Sequence, residues 1–336
     1  TRVNRQSLNL MLGKGRFGLS AKGGVHYSWP RIGNTDYERI DWEEIIDSDT
    51  INKNTLTRKG ESYSRWLGYR GGIDMFYDLN AFQSITSSLS FGGRDRFNYD
   101  TTIIDYTGID TSTSYNYESY LNSTSVTNQV EWSSDFTKKF ANNEEREFSM
   151  ALQISGEFED EETTINENNS LITNLNDGSG IEKTFQIDYT HPFGKSNKKT
   201  DANSGATMRR GKKGSSASSS ASSNKIEIGA KYIDRDKNFV YSTQENDIVP
   251  LLQPEETFNY NQKVGSAYLS SQFKLPGDFG LVLGGRYELT QINGDWDNNT
   301  DNPFENSYGN FLPNIVINKK ISETKSIKLS YNKRIT

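Results

Sequence analysis

The chain has 336 residues with a formal net charge of −6 and no cysteine, which excludes disulfide bonds and thiolate chemistry. Acidic and basic residues are both abundant, at 44 and 38, and this balance argues against a nucleic-acid-binding protein. Hydrophobic residues make up only 32% of the sequence, so a soluble protein of this size would have a thin core. No apolar run reaches the ~18 residues of a transmembrane helix, whereas a membrane-spanning strand needs apolar residues only at alternate positions.

Apolar and polar residues alternate along most of the chain, which predicts β-strands because successive side chains of a strand point to opposite faces. The alternation is most regular in residues 225–336. In chain order the predicted strands lie at 6–12, 19–29, 67–79, 85–94, 129–136, 148–158, 185–190, 226–232, 266–273, 281–290, 311–318 and 327–335. One face of these strands is charged and the other is bulky and apolar. The sequence therefore predicts an all-β protein, an antiparallel transmembrane β-barrel with twelve strands in this chain.

The connections between the predicted strands alternate in length. Short turns are expected near 13–16, 80–84, 141–146, 276–279 and 322–325. Long loops are expected near 30–62, 95–119, 159–180, 236–256 and 291–309. Bacterial outer-membrane barrels have short periplasmic turns and long extracellular loops, so this sorting predicts a location in the bacterial outer membrane.

One connection departs from this order. Residues 194–224, where a short turn is due, are basic, rich in serine and low in complexity. Such a segment cannot bury enough apolar surface to order itself, so we expect a disordered insertion at the periplasmic rim. It is either a contact for anionic lipid or a periplasmic partner, through Arg209, Arg210, Lys212 and Lys213, or a tolerated insertion, since lengthening a loop costs little free energy.

The alternation also predicts which side chains face the barrel lumen and which face lipid. The charged residues predicted to face the lumen are Lys22, Arg70, Asp74, Arg94, Glu131, Glu227, Lys231, Arg286, Glu288, Lys328 and Arg334. The residues predicted to face lipid include Leu283, Tyr287, Ile315, Ile317, Leu329 and Tyr331. The lumenal charges have two readings: salt bridges with one another and with a plug, or a hydrophilic path for a substrate.

Four stretches carry a family resemblance. They are NKIEIGAKYIDRDKNF (224–239), ETFNYNQKVGSAYLSSQF (256–273), LVLGGRYELTQ (281–291) and NFLPNIVINKKISETKSIKLSYNKRIT (310–336). These stretches resemble the outer-membrane β-barrel domain of TonB-dependent receptors, in the form common in Bacteroidetes-type bacteria. GGRYELT is similar to that family's "GlRyE.T" strand, and the last stretch is similar to its "FLPsl" segment. The remainder of the chain resembles the family loosely.

The resemblance implies a barrel of about 22 strands, closed by a separate plug domain, that imports a scarce nutrient with energy delivered by TonB. No plug domain, TonB box or signal peptide is recognisable, so residues 1–336 are expected to be a barrel fragment without its plug. The expected partners are outer-membrane lipid, the plug domain and TonB for a full transporter, and a surface lipoprotein or other envelope proteins.

Two other functions fit the same pattern. The first is a non-transporting barrel scaffold in an outer-membrane protein assembly, and the second is a soluble, extracellular all-β binding protein. An upstream plug domain would separate transport from the scaffold. A requirement for detergent would separate both barrels from the soluble protein.

Motifs for catalysis are not found. The sequence suggests no nucleophile–histidine–carboxylate set and no phosphate-binding glycine loop, so an enzyme is not expected and neither is a cofactor. Asp295, Asp297 and Asp301 alternate in one polar loop and offer the oxygen ligands that Ca²⁺ prefers. No glutamate closes this calcium candidate, and a solvated polar loop explains the same residues.

Overall fold

The structure, a computed structural model, describes residues 3–42, 53–168, 170–193, 224–245, 256–297, 299–322 and 324–334. The insertion predicted at 194–224 lies outside the described residues, except for Asn224. In the described part of the chain, no helix has both the length and the apolar character needed to cross a lipid bilayer.

The described residues form the twelve antiparallel strands that the sequence predicts, so the all-β fold class is confirmed. The strands are β1 (Val3–Lys14), β2 (Phe17–Trp42), β3 (Lys53–Asn80), β4 (Gln83–Thr107), β5 (Tyr115–Phe140), β6 (Asn143–Glu167), β7 (Ser170–Phe193), β8 (Asn224–Glu245), β9 (Glu256–Leu275), β10 (Phe279–Trp296), β11 (Asn299–Lys320) and β12 (Ser326–Asn332). A single turn of 3₁₀ helix, Thr111–Thr113, lies between β4 and β5.

Each strand pairs with the strands before and after it in the sequence, so the sheet is a continuous meander from β1 to β12. Among the described residues, β1 and β12 do not pair with each other and the sheet is open. The turns β1–β2, β3–β4 and β5–β6 are short, as expected. Gly15, in the first of them, has φ of 62°, a conformation that glycine adopts without the steric penalty of a Cβ atom.

The expectation of long loops is wrong for much of their length. In the segment expected as a loop at 159–180, Glu159 pairs with Gly178 and Glu167 pairs with Ser170, so β6 and β7 form one long hairpin. β4 likewise continues to Thr107 before the chain turns. The amphipathic alternation stops in these regions, but cross-strand hydrogen bonds join backbone groups and do not depend on it. The strands therefore extend well past the apolar part of the sheet.

The sheet has almost no packed interior. Among the described residues only three hydrophobic side chains are buried, namely Ile104, Ile233 and Val264. Large apolar side chains are exposed along nearly every strand, including Leu283, which is 43% exposed. Exposure of so much apolar surface is unfavourable in water, so these side chains need an apolar surrounding that the chain does not supply.

A β-bulge interrupts β2 near its middle. Ser28 pairs with Trp66 and Arg31 with Ser64, so Trp29 and Pro30 together oppose Arg65. Proline lacks a backbone N–H and suits a bulge, where one residue leaves the hydrogen-bonded ladder. The extra residue reverses the alternation of facing along the rest of β2. After the bulge, Arg39 and Asp41 lie on the side of the sheet that holds Ser28, and their side chains form a 2.7 Å ion pair.

Candidate functional site

The register joins the predicted lumenal charges into one surface. Directly paired residues point to the same side of a sheet, and this rule can be followed from β2 to β12. Ten of the eleven charges lie on one side, which we call the charged face: Lys22, Arg70, Asp74, Arg94, Glu131, Glu227, Lys231, Arg286, Glu288 and Lys328. The eleventh, Arg334, follows the end of β12 and is exposed.

The predicted lipid-facing residues occupy the opposite side, which we call the apolar face. Leu283 pairs with Ile315, Ile317 with Leu329, and Ile315 also with Tyr331. Tyr287 lies on the same side, and all six of these residues are exposed. The prediction that they contact lipid therefore rests on a continuous, exposed, apolar surface.

The apolar face forms an oblique band. Its last large apolar residue before the polar region is Leu67 in β3 and Phe311 in β11. The register row through Phe311 contains Tyr287, Ala267, Ala230, Ile187, Met150, Phe136, Ile85 and Tyr77. Between β3 and β11, which are eight strand steps apart, the edge of the apolar face therefore shifts by ten residues along the strands, from the row of Leu67 to the row of Tyr77. At about 3.3 Å per residue and about 4.8 Å between strands, the strands are inclined by roughly 40° to the normal of the band. Strands of transmembrane barrels have a similar tilt from the barrel axis.

The charged face is concave. A hollow of about 520 Å³ takes Ser90, Glu131, Ser155, Glu182 and Arg235 from five consecutive strands, and Gln262 of β9 completes its wall. An adjoining hollow of about 480 Å³ shares Lys237 with it. Six strands can line one hollow only if the sheet curves around it. The curvature supports the prediction that the charged face lines a lumen.

Part of the charged face is neutralised by ion pairs, one between adjacent strands and one within a strand. Lys22 Nζ lies 3.7 Å from Asp74 Oδ2, and Ser20 and Ser88 both donate hydrogen bonds to Asp74. Arg286 Nε lies 2.5 Å from Glu288 Oε1. That pair is a charge contact without hydrogen-bond alignment, because Arg286 Nε has no hydrogen-bond partner among the described residues. Salt bridging, one of the two readings of these charges, therefore applies to part of the set.

The structure adds charged residues that the sequence analysis missed. Glu182 and Arg235 form an ion pair on the charged face, and Arg235 also donates to Gln262 at 2.8 Å. Glu159 and Lys237 lie on the same face, in segments expected to be loops. The signal was present in β6, where glutamates recur at 157, 159 and 161 with the period of a strand.

A polar network crosses three strands deeper on the charged face. The Tyr268 hydroxyl donates to Asp188 across Gly229, and Gln186 Nε2 donates to the same carboxylate at 2.9 Å. Gly229 lies between them on β8, and a Cβ atom there would meet both the Tyr268 ring and Asp188 Oδ1. A glycine is thus needed for the tyrosine to reach β7.

The polar ends of the strands carry two titratable groups with shifted pKa values. A hydrogen bond to Glu167 raises the pKa of Tyr117 to about 12, because ionising the phenol would oppose a neighbouring carboxylate. The backbone N–H of Ser112 donates to Asp110 and lowers the pKa of that carboxyl. Both contacts lie well beyond the apolar band, near the β4–β5 loop and the β6–β7 turn.

The calcium candidate gains no support. Asp295 lies in β10 on the side of the apolar face, and Asp297 accepts a 2.8 Å hydrogen bond from Asn259. The side chain of Asp301 lies outside the described part, so the hypothesis stays a prediction. No group of three or more metal-ligating side chains occurs among the described residues.

Comparison with known proteins agrees with this geometry. Residues 216–336 match the outer membrane protein beta-barrel family. Over these residues the chain resembles that family. The predicted resemblance to outer-membrane barrels and the location in the bacterial outer membrane are confirmed. The alternative of a soluble extracellular protein is wrong. No curated protein matches the sequence.

The chain was also compared with solved structures. The unliganded ferric citrate transporter FecA is similar with a TM-score of 0.51 and 9% identity, over 97% of this chain. The alcaligin outer-membrane receptor FauA from Bordetella pertussis has a TM-score of 0.46 and 13% identity, over 98% of this chain. The transport unit of the autotransporter AIDA-I from Escherichia coli has a TM-score of 0.37 and 9% identity; the match covers 95% of this chain and 85% of AIDA-I. This barrel chain spans 42% of the length of FecA and of FauA.

Proposed function

We propose that the chain is part of the wall of a TonB-dependent receptor that imports a small nutrient across the outer membrane. The observation that carries the proposal is the pair of opposed faces. The apolar face forms a tilted band suited to lipid, and the concave charged face offers a hydrated path past it. The likeness to the FecA barrel supports this role through the fold alone.

Import also requires parts beyond the described wall. An open hydrated lumen would leak solutes, so we propose that a plug domain closes it and contacts part of the charged face. TonB would supply the energy that moves the plug. Outer-membrane lipid covers the apolar face in the same proposal.

The test is solute depletion by living cells. Cells with and without the gene are grown in one defined medium, and loss of small solutes from the medium is followed by mass spectrometry. We expect at least one solute to disappear faster when the gene is present. A protonophore should abolish the difference, because coupled import depends on the energised inner membrane.

Equal depletion by both strains would contradict import. Crosslinking at the cell surface would then test the scaffold alternative, in which a surface lipoprotein or another envelope protein is recovered with the barrel while solute uptake is unchanged. A difference that survives the protonophore would contradict energy coupling and leave a passive channel.

A further inference from the structure

A second hollow on the charged face has a distribution of charge that ion pairing does not explain. Its volume is about 480 Å³, and it extends from β3 to β8. Leu67 and Phe91 mark the edge of the apolar band in β3 and β4. Arg70 follows Leu67 by three residues and lies just inside this edge, and Arg94 follows Phe91 by three residues and lies just outside it. The hollow is therefore level with the edge of the apolar band that is farther from the short turns.

Opposite charges line opposite sides of this hollow. Arg70 and Arg94 come from β3 and β4, and Glu157 and Glu159 come from β6. Uncharged residues of β5 separate them in the hollow, because Arg94 pairs with Thr127 and Thr127 pairs with Glu159. Two strand spacings put the backbone of Arg94 about 10 Å from that of Glu159.

These four charges are left accessible. All four side chains are exposed, and none forms an ion pair with another described residue. Elsewhere on the charged face, Glu182 and Arg235 face each other on adjacent strands and do pair. The contrast indicates that the charges in this hollow are held apart by their positions in the sheet.

Glycines next to the charged residues leave the hollow free of side chains at those positions. Gly92 lies beside Arg70, and Gly178 and Gly180 lie beside the two glutamates. A guanidinium group binds a carboxylate through two parallel hydrogen bonds, and a glutamate accepts hydrogen bonds from an ammonium group. The hollow therefore offers one site for an anionic group and another for a cationic group of the same molecule.

We propose that this hollow binds a zwitterionic ligand whose opposite charges lie about 10 Å apart. The carboxylate or equivalent anion contacts Arg70 and Arg94, and the ammonium group contacts Glu157 and Glu159. The inference rests on the proposed import function and specifies the class of ligand. Lys237 lies on the other side of Glu157, across Gly180, and is a second cation that the experiment must separate from the arginines.

The first measurement is calorimetric titration of the full-length protein, purified in detergent, with linear ω-amino acids. The probe 8-aminooctanoate has charges about 10 Å apart, matching two strand spacings, and 3-aminopropanoate is the short control. The compounds 8-acetamidooctanoate and 8-aminooctanamide each keep one charge of the long probe. We expect 8-aminooctanoate to bind at least about tenfold more tightly than any of the other three, since each blocked or misplaced charge loses its contacts.

The second measurement uses charge reversal. Arg94→Glu and Glu159→Arg should each weaken binding of 8-aminooctanoate by about tenfold or more, and the double variant should recover most of the affinity because it restores one charge of each sign. Lys237→Ala should have little effect if the arginines hold the anion. Lys139→Glu, at the far end of β5, controls for net charge. Each variant is first checked for the heat-dependent change in SDS-gel migration that marks a folded barrel.

Equal affinity for the four compounds, or a double variant no better than the single ones, would overturn the inference. Loss of binding in Lys237→Ala with none in Arg94→Glu would also overturn the assigned anion site. These failures are distinguishable from failure of the import proposal, because depletion by cells carrying Arg94→Glu is measured separately. Import that persists without binding of the probe leaves import standing and removes the zwitterion.

Discussion

The hairpin of β6 and β7 contains two regions that share one backbone ladder and differ in everything else. In the lower region, near the short turn, Phe148, Met150, Leu152 and Ile154 cover the apolar face. In the upper region, beyond Phe158, both faces are polar and glutamates predominate. The pairing continues without a break from Glu147–Thr190 to Glu167–Ser170.

The difference separates two sources of order. In the lower region the apolar side chains are stabilised by lipid, and the period-two pattern records that requirement. The upper region depends on the ladder itself and on side-chain contacts such as the Thr164–Thr173 pair at 3.5 Å. The sequence pattern thus reports the surroundings of a strand more directly than the presence of a strand.

The largest effect is expected where the lower region meets lipid. Leu152→Arg places a charge on the apolar face near the middle of the band and should destabilise the barrel by about 2–4 kcal/mol. Gln153→Arg, one residue away on the charged face, should cost less than about 0.5 kcal/mol. Thr164→Arg, in the upper region, should also be nearly neutral. Urea unfolding of the full-length protein in lipid vesicles measures all three, and equal costs at 152 and 153 would contradict the assignment of faces.

Close strand packing should matter in the upper region as well. A Cβ atom at Gly60 would meet the backbone carbonyl oxygen of Thr101, so Gly60→Ala should separate β3 from β4 locally at a cost of about 1–3 kcal/mol. Gly265, which has no atom within 4 Å of a Cβ position, is the matched control, and Gly265→Ala should be neutral or slightly stabilising. Hydrogen exchange of the β3 amides near residue 60 reports the change. Unaltered exchange in Gly60→Ala would mean that the upper ladder is looser than the structure shows.

A smaller effect is expected at the boundary between the two regions. The side chains of Glu182 and Arg235 are 31% and 34% exposed, so solvent screens their ion pair. A double-mutant cycle with Glu182→Gln and Arg235→Gln should give a coupling free energy of about 0.2–1 kcal/mol. The same cycle at Arg39 and Asp41, on the upper part of β2, should give a smaller value because that pair is more exposed. A larger coupling at the upper pair would reverse the expected order.

The smallest effect is a titration at the polar end of β5. The pKa of Tyr117 is raised to about 12, above its ordinary value of 10.0, so the unfolded chain loses this proton at lower pH than the folded chain. The contribution of Tyr117 to stability is therefore complete below pH 10 and decreases as the pH rises toward 12. Ultraviolet titration should show several late-ionising tyrosines, and Tyr117→Phe should remove one of them. Glu167→Gln should move that ionisation to lower pH, and an unchanged curve would disprove the contact.

Alternation along the sequence was sufficient to predict the number of strands, their direction and the two faces. It predicted the face of Leu283 and of Arg286 because both lie in the lower region, where lipid on one side and water on the other impose a period of two. It failed for β6 beyond Phe158, where water surrounds both faces and no alternation of apolar with polar residues is required. The resemblance in residues 224–336 contributed the family, which strand patterns alone do not specify.

The candidate site was predictable only in part, for a related reason. Arg70, Arg94 and Glu131 were identified because they interrupt apolar strands. Glu159 and Lys237 were missed because they lie in the polar upper region, where a charge is unremarkable in sequence. The opposition of Arg94 and Glu159 across β5 depends on the register of three strands, and a single sequence contains no direct measure of that register.

The bulge at Trp29 and Pro30 changes which residues of β2 face the concave side of the sheet. Below it, even-numbered side chains point into the concavity, and above it odd-numbered ones do. Were Trp29 and Pro30 both to enter the regular ladder, the register of the upper arm of β2 would slip by one residue and its two faces would change places. Arg31 and Arg39 would then lie on the outer side, and Ile32, which is now outside and 72% exposed, would point into the concavity. One bulged residue thus decides which side chains the top of this strand presents to the concave side of the sheet and which to the outer side.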